Sequence, residues 1–324
     1  MKTALITGGA GFIGSHLAEK LSSEKYKVIL LDNLFRGKKD NIKKVLQDSN
    51  NIFLELDLVE YSAIEFTKDL ILKYKPSLIL HYAAINGTQY FYDLSEKVAE
   101  VNSIATYHLM MGLTEAIKIN NLIKPLILFA SSSEVYGEPT TVPTHENCIT
   151  YARISENRDS YAISKLMSEF YIKLFSQKLN LEWLIFRIFN VYGPRMVSTK
   201  YGQVIPELIQ RLSEGEWPLK IIGDGSQTRS FIYIDDHVEL SYRAIKYAEK
   251  NNIYNLGNPI EIRIDELALL IMNQMYIDPK LEYLVSRSGD HRRRCPDIFK
   301  LMNQIGQFDF IKIECGIKKM LTQS

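Results

Sequence analysis

A glycine-rich turn near the start of the chain restricts the possible folds more than any other feature. The segment Thr7-Gly8-Gly9-Ala10-Gly11-Phe12-Ile13-Gly14 follows a short apolar run and opens a helix-like stretch. Glycines allow the tight turn and let the backbone approach a pyrophosphate closely, and the helix N-terminus offers unpaired N–H groups to phosphate. In this strand–helix context the turn predicts a dinucleotide site rather than a turn that serves packing alone.

Short apolar runs alternate with helical patterns along the first half of the chain, as in parallel sheets covered by helices on both faces. The sequence therefore predicts an α/β fold, with a Rossmann-type doubly wound parallel sheet and a smaller C-terminal α/β substrate domain. We assign 1–189 with 234–256 to the dinucleotide-binding domain and 190–233 with 257–324 to the substrate domain. The predicted strands are Ala4–Thr7, Lys27–Leu31, Ile52–Leu56, Ser77–Tyr82, Leu126–Ala130, Leu184–Phe189 and Ile253–Leu256; the predicted helices are Gly14–Ser22, Ser62–Tyr74, Ser95–Asn120, Ser160–Lys178 and Asp235–Lys250.

The second predicted strand ends at Asp32, 18 residues after Gly14. A carboxylate there accepts hydrogen bonds from both ribose hydroxyls and repels a 2′-phosphate, so NAD is favoured over NADP. The nearby Arg36 weakens this inference slightly, although the basic run Arg36–Lys44 is most simply a solvated loop and helix face. Asp57 ends the next strand, where its carboxylate could contact the adenine or cap the following helix, and the sequence leaves both open.

Composition argues against several other classes of protein. The length of 324 residues is enough for about two domains, and the net charge of +1 predicts no binding to nucleic acid or to an anionic membrane. The three cysteines are widely spaced and form no CxxC pair, and the histidines lack metal-site spacing, so we expect no disulfide framework and no metal. No signal peptide or run of about 20 apolar residues is evident, and we expect a cytoplasmic protein.

The candidate catalytic motif is Tyr161-Ala162-Ile163-Ser164-Lys165, which puts a phenol and an ammonium on one helix face. A neighbouring cation stabilises the phenolate, which could then take a proton from a substrate hydroxyl. The same spacing recurs at Tyr242/Lys246 and Tyr276/Lys280, but only the first follows a strand that ends in Ser131-Ser132-Ser133-Glu134. Because parallel sheets bind ligands at the carboxyl ends of their strands, Tyr161 is the predicted base.

These segments resemble an extended short-chain dehydrogenase/reductase of the NAD-dependent nucleotide-sugar epimerase/dehydratase family. The resemblance extends over nearly the whole chain and includes His81-Tyr82-Ala83-Ala84, Arg187–Arg195, Gly223–Phe231 and Asn255–Asn258. It implies a nucleotide-sugar substrate that is oxidised at C4, and a homodimer formed through the helices Ser95–Asn120 and Ser160–Lys178. Polysaccharide or glycoconjugate biosynthesis is the implied setting.

The resemblance also implies roles for individual residues. Ser132 would hydrogen-bond the sugar oxygen, Tyr161 would start the C4 oxidation, and Lys165 would hold the cofactor ribose. The expected cofactor contacts are Gly8, Gly11, Phe12, Ile13, Gly14, Asp32, Asn33, Asp57, Leu58, Ala83, Ala84, Asn102, Tyr161 and Lys165. The expected substrate contacts are Asn86, Asn190, Arg195, Arg229, Arg287 and Arg294, with Asn190, Arg229 and Arg287 at diphosphate positions. Arg229 or Arg287 could instead form an ordinary surface ion pair.

Ser133 and Glu134, beside Ser132, bear on the fate of the 4-keto sugar. Glu134 could deprotonate C5 or relay a proton, as the loss of water across C5 and C6 requires, whereas simple 4-epimerases of the family often have small, non-acidic residues here. Uronic acid decarboxylases also carry Ser-Glu and an arginine in a context like that of Arg294, but their proline-rich segment is replaced here by residues 85–92. We rank a C4 dehydrogenase or 4,6-dehydratase first, a 4-epimerase next and a decarboxylase last. A non-catalytic NAD-binding regulator is disfavoured, because the Ser–Tyr–Lys set is intact.

Overall fold

The structure is a computed structural model that describes residues 1–196, 203–285 and 292–323. Its strands are β1 (Thr3–Thr7), β2 (Lys27–Asp32), β3 (Ile52–Glu55), β4 (Leu78–His81), β5 (Leu126–Ser132), β6 (Trp183–Ile188), β7 (Val191–Tyr192), β8 (Leu219–Ile222), β9 (Thr228–Ser230), β10 (Ile232–Tyr233), β11 (Asn252–Leu256), β12 (Glu261–Arg263), β13 (Leu281–Leu284) and β14 (Arg293–Arg294). Its helices are α1 (Phe12–Ser23), α2 (Ser62–Tyr74), α3 (Thr88–Asp93), α4 (Ser95–Ile119), α5 (Ser160–Leu179), α6 (Val204–Ser213), α7 (Ile234–Tyr247), α8 (Ile264–Gln274), α9 (Phe299–Ile305) and α10 (Ile313–Gln323). Short 3₁₀ turns lie at Lys39–Ile42, Val45–Gln47, Ser133–Tyr136 and Asn157–Asp159.

Seven parallel strands form the central sheet in the order β3-β2-β1-β4-β5-β6-β11. Successive side chains point to opposite faces: Leu5 packs in the core formed with α2, α4 and α5, and Ile6 packs in the core formed with α1 and α7. Both faces are buried, which is why the strands read as continuous apolar runs rather than alternating ones. The predicted Rossmann-type α/β fold is confirmed.

A smaller mixed α/β region follows the main sheet. It contains the parallel pair β8 and β13, the three-stranded sheet β12-β9-β14, and helices α6, α8, α9 and α10. Helix α10 packs tightly on the side chain of Tyr192, since a Cβ added at Gly316 would overlap the Tyr192 hydroxyl. The chain returns to the main sheet through α7 and β11, and the exact domain boundaries stay a prediction.

The carboxyl ends of the central strands bring the predicted motifs to one edge of the sheet. A buried histidine, His81, ties this edge together: its ring nitrogens lie 2.6 Å from the Thr7 hydroxyl and 2.9 Å from the Thr106 hydroxyl. Within the described residues, no three His, Cys, Asp or Glu side chains cluster as a metal site would require. No helix among the residues that the structure describes combines the length and apolarity needed to cross a membrane.

Candidate active site

A large cleft opens above the carboxyl ends of the central strands, with the glycine-rich turn as part of its floor. Gly8 has a positive φ of 68°, and a Cβ at this position would lie 2.7 Å from the backbone nitrogen of Ala83. A Cβ at Gly14 would overlap the carbonyl oxygen of Gly8. Gly11 is the N-cap of α1, so the unpaired amides of the first turn face this floor. The cradle therefore fits a dinucleotide diphosphate, which needs close backbone approach and a helix N-terminus.

The predicted ribose ligand Asp32 lies at one side of this floor. Its carboxylate accepts hydrogen bonds from the backbone amides of Ala10 at 3.0 Å and Leu34 at 2.8 Å. Burial raises the pKa of the Asp32 carboxyl, and the backbone amides that it accepts oppose this change. Asp32 is thereby fixed at the cleft wall, and the arrangement fits the NAD ribose that the sequence predicts.

Asp57 supports the neighbouring loop. Its carboxylate accepts the Val59 amide at 3.0 Å and the Asn33 side-chain amide at 2.9 Å. Asp57, Asn33 and Leu58 all line the cleft, so an adenine contact remains a proposal beside this local backbone role. Phe12, Ile13, Ala83 and Ala84 line the same cleft.

Arg36 corrects the interpretation of the basic run. The sequence predicts a solvated surface for Arg36–Lys44, but Arg36 is half-buried and lines the cleft. Its guanidinium donates a hydrogen bond to the carbonyl of Asn86 and lies 5.6 Å from the centre of the Tyr90 ring. The sequence could not show this, because the side chain crosses from one strand end to another.

The predicted Ser–Tyr–Lys set comes together at the end of β5. The hydroxyl of Ser132 hydrogen-bonds the phenol of Tyr161, and the ammonium of Lys165 donates to the Ala130 carbonyl at 2.8 Å. Lys165 lies 5.6 Å from the centre of the Tyr161 ring, and Phe91 of α3 stacks on that ring at 4.6 Å between centroids. The phenol therefore has both a cation and an apolar ring as close neighbours.

The electrostatics of this set follow from its burial. Burial and the charge of Glu134 raise the pKa of Tyr161, whereas the Ser132 hydrogen bond and the charge of Arg36 lower it. Burial lowers the pKa of Lys165 to about 7, against an opposing contribution from Glu169. The phenol needs a cationic environment to lose its proton, and the charged groups around it therefore matter for any role as a base.

Glu134 is held by two arginines, one of which is not among the residues predicted from the sequence. Arg294, on β14, is 5% exposed and ion-paired with Glu134, and an Arg158 nitrogen lies 3.4 Å from the same carboxylate. The Ser132 hydroxyl accepts the Glu134 amide at 3.2 Å, which fixes the start of the 3₁₀ turn. Arg158 lies three residues before Tyr161, and this one-turn spacing was the only sequence feature that could have pointed to it.

A buried polar network supports the catalytic strand end from behind. The Arg187 guanidinium makes two hydrogen bonds to Glu169, at 3.1 and 2.9 Å, and the Ser131 hydroxyl donates to the same carboxylate. Glu169 lies one helical turn after Lys165 on α5. Lys165 and Glu169, on neighbouring turns of α5, therefore contact Ala130 and Ser131 of β5. These contacts place Ser132 next to Tyr161.

The remaining predicted residues divide into three groups. Asn190 and Arg229 line the cleft together with Asn86, Ser133 and Arg294. Arg195 also lines it, but its guanidinium bonds to Ser15 at 3.1 Å and to Glu19 on α1. Asn102 does not line the cleft; it is buried behind it, where its side chain bonds both backbone polar groups of Ile85. Arg287 lies outside the described residues.

Comparison with known proteins agrees with this geometry. Residues 4–257 match the model of the NAD dependent epimerase/dehydratase family. The chain belongs to this family. The predictions that it is an enzyme and that its cofactor is NAD are confirmed.

Members of the NAD dependent epimerase/dehydratase family with different activities resemble the chain about equally. It is 32% identical to UDP-glucuronic acid decarboxylase 6 of Arabidopsis thaliana, over 98% of this chain and 87% of the relative. It is 33% identical to a putative UDP-glucose 4-epimerase of Methanocaldococcus jannaschii, over 98% and 96%. The solved UDP-glucose 4-epimerase of Thermotoga maritima superimposes with a TM-score of 0.87 at 28% identity, over 99% of this chain and 98% of that one. Overall similarity therefore leaves the reaction undecided.

Proposed function

We propose that this protein oxidises C4 of a nucleotide-activated sugar, with Tyr161 as the base. The observation that carries the proposal is the contact of Tyr161 with Ser132 beside the dinucleotide cradle, with Lys165 close behind. The decarboxylase and the 4-epimerase among the relatives both have names that specify UDP-sugars as substrates. NAD, when bound, supplies the hydride acceptor for C4. Ser132 orients the sugar oxygen, and Tyr161 takes the proton of the C4 hydroxyl as the ketone forms.

The wall formed by Glu134, Arg158 and Arg294 bears on the fate of the 4-keto sugar. Two guanidinium groups share one carboxylate there, so the three side chains carry a net positive charge next to Ser132. Arginine is the side chain best suited to bind a carboxylate, through paired hydrogen bonds. A C6 carboxylate would complement this charge, whereas a neutral C6 hydroxymethyl group would not. A nucleotide-activated uronic acid is therefore the substrate that this wall fits best.

Decarboxylation follows from that substrate by ordinary chemistry. A C6 carboxylate is β to the C4 ketone, so the C5–C6 bond can break with its electron pair entering the enolate of the ketone as carbon dioxide leaves. A proton is then returned to C5, and return of the hydride to C4 would regenerate NAD, so that the net change is the loss of carbon dioxide. We therefore rank decarboxylation first, whereas the sequence alone ranked it last. The ranking from the sequence depended on the absence of a proline-rich segment at residues 85–92. We give the buried ion pair of Arg294 with Glu134 more weight than that absence.

A matched pair of substrates tests the proposal. Purified protein is incubated with UDP-glucuronic acid and with UDP-glucose, which differ only at C6, and then with the GDP, CDP and dTDP counterparts. Product mass and absorbance at 340 nm are followed together. We expect loss of carbon dioxide from a uronic acid and a much slower reaction of its neutral partner.

The other outcomes separate the two parts of the proposal. Loss of water would identify a 4,6-dehydratase, loss of two hydrogens with lasting absorbance at 340 nm a C4 dehydrogenase, and an isomer of unchanged mass a 4-epimerase. Each would overturn decarboxylation while supporting oxidation at C4. Failure of every sugar to react would contradict the oxidation itself.

We also propose that two copies associate through α4 and α5. An apolar stripe on α5 is exposed: Met167, Phe170 and Leu174 are 44%, 58% and 47% exposed. On α4 the partly exposed residues Ile104 and Tyr107 lie on the outward face. Exposed apolar stripes on adjoining helices are typical of protein–protein contacts, and a second copy offers the self-complementary surface of a two-fold dimer.

Replacing Phe170 with glutamate is expected to give a monomer, because the charge would be buried without a partner in the dimer. Light scattering coupled to size-exclusion chromatography measures the mass. Tyr247→Glu is the matched control: Tyr247 is a 64% exposed aromatic residue on α7, on the opposite side of the sheet. A monomeric wild-type protein, or a Phe170→Glu variant that keeps the dimer mass, would refute this interface.

A further inference from the structure

The position of Arg36 has a topological consequence. Arg36 follows β2 and hydrogen-bonds the carbonyl of Asn86, which follows β4. In the sheet β2 and β4 flank β1 on opposite sides. The side chain must therefore cross above the carboxyl end of β1, where the glycine-rich turn and the N-terminus of α1 lie.

Among the described residues, the Arg36 guanidinium has no anionic partner that explains its position. Within the described parts of the chain, no carboxylate lies within ion-pair distance of Arg36; its neighbours are the Asn86 carbonyl and the Tyr90 ring. A cation held in a partly desolvated cleft without a counter-charge is unfavourable. Burial also lowers the pKa of this guanidinium. An anion bound between the glycine-rich turn and Arg36 would supply the missing counter-charge.

We infer that Arg36 is a clamp on the cofactor that binds the diphosphate of NAD from above, opposite the amides of the glycine-rich turn. The carbonyl of Asn86 holds one edge of the guanidinium, and the remaining N–H groups can donate to phosphate oxygens. The alternative, in which Arg36 binds a 2′-phosphate beside Asp32, requires the side chain to point to the adenosine ribose. It points across β1 to Asn86 instead. The inference is independent of which sugar is oxidised.

Retention of NAD by the purified full-length protein tests the clamp. Protein loaded with NAD is diluted and desalted at intervals, and the NAD that remains bound is quantified after denaturation. Arg36→Gln is expected to release NAD about 10- to 100-fold faster, since a charge-assisted hydrogen bond is lost and affinity changes appear mostly in the dissociation rate. Arg36→Lys should fall between the two, because lysine keeps the charge but cannot bond Asn86 and phosphate in the same fork geometry.

Lys39→Gln is the matched control. It removes one positive charge from the same loop, but Lys39 is 63% exposed and pairs with Glu55 at 3.2 Å. Its release rate should equal that of the wild type. Competition by ADP-ribose should be weakened in Arg36→Gln, whereas competition by adenosine, which lacks the diphosphate, should not.

Two results would overturn the inference. One is an NAD release rate that Arg36→Gln leaves unchanged. The other is a selective loss of NADP binding with NAD binding intact, which would assign Arg36 to the 2′-phosphate. Neither readout requires a sugar substrate, so failure of the proposed reaction and failure of the clamp remain distinguishable.

Discussion

Tyr161→Phe is expected to reduce kcat for C4 oxidation by about two to four orders of magnitude, the usual contribution of a positioned general base. The substitution removes one oxygen and keeps the ring, which stacks on Phe91 with centroids 4.6 Å apart. The cover over the site and the packing of α5 should therefore stay intact. Steady-state rates with the sugar that reacts in the substrate panel measure the effect.

NAD retention separates lost chemistry from lost cofactor in this experiment. The phenol contacts Ser132, whereas the glycine-rich turn and Asp32 form the cradle for the dinucleotide. Tyr161→Phe should therefore keep its NAD, and its KM should change much less than its kcat. Phe91→Leu is a useful companion, because it removes the aromatic stacking on the same ring without removing the hydroxyl. A Tyr161→Phe variant with wild-type kcat would show that another group takes the proton.

Local sequence patterns predicted the fold and the floor of the cleft well. The turn from Thr7 to Gly14 can be recognised from eight consecutive residues, because the strand end, the glycines and the helix start are all local. Asp32 could be located because the end of a predicted strand marks the ligand-binding edge of a parallel sheet. Tyr161 and Lys165 share one helix, so their spacing alone brings them together.

The walls of the cleft were harder to predict, because they are built from contacts between distant segments. Arg36 reaches Asn86 across β1, and Arg294 reaches Glu134 from the C-terminal region. Neither contact has a periodic pattern in the sequence. For Asn102 the family resemblance implied a cofactor contact, which stays a prediction; in the structure its side chain holds the backbone at Ile85 from behind the cleft.

The ion pair between Glu169 and Arg187 leads to the largest expected effect on stability. The two residues are 7% and 5% exposed, and Ser131 donates to the same carboxylate. Arg187→Met leaves a buried carboxylate without its cation, and Glu169→Met leaves a buried guanidinium without its anion. Each single variant is expected to lower the free energy of unfolding by about 3–5 kcal/mol, as for other broken buried pairs. Chemical denaturation followed by intrinsic fluorescence measures the loss.

The double variant Glu169→Met/Arg187→Met distinguishes desolvation from attraction. Because it removes both charges, its loss should be clearly smaller than the sum of the two single losses. The partly exposed pair of Arg211 with Glu216 is the control, and Glu216→Met should cost no more than about 1 kcal/mol. Single losses as small as that control would show that the Glu169–Arg187 pair is not effectively buried. Because Ser131 precedes Ser132 in β5, the double variant should also lower kcat at temperatures where it is fully folded. That result would tie the buried pair to the alignment of Ser132 with Tyr161, whereas an unchanged kcat would limit the pair to stability.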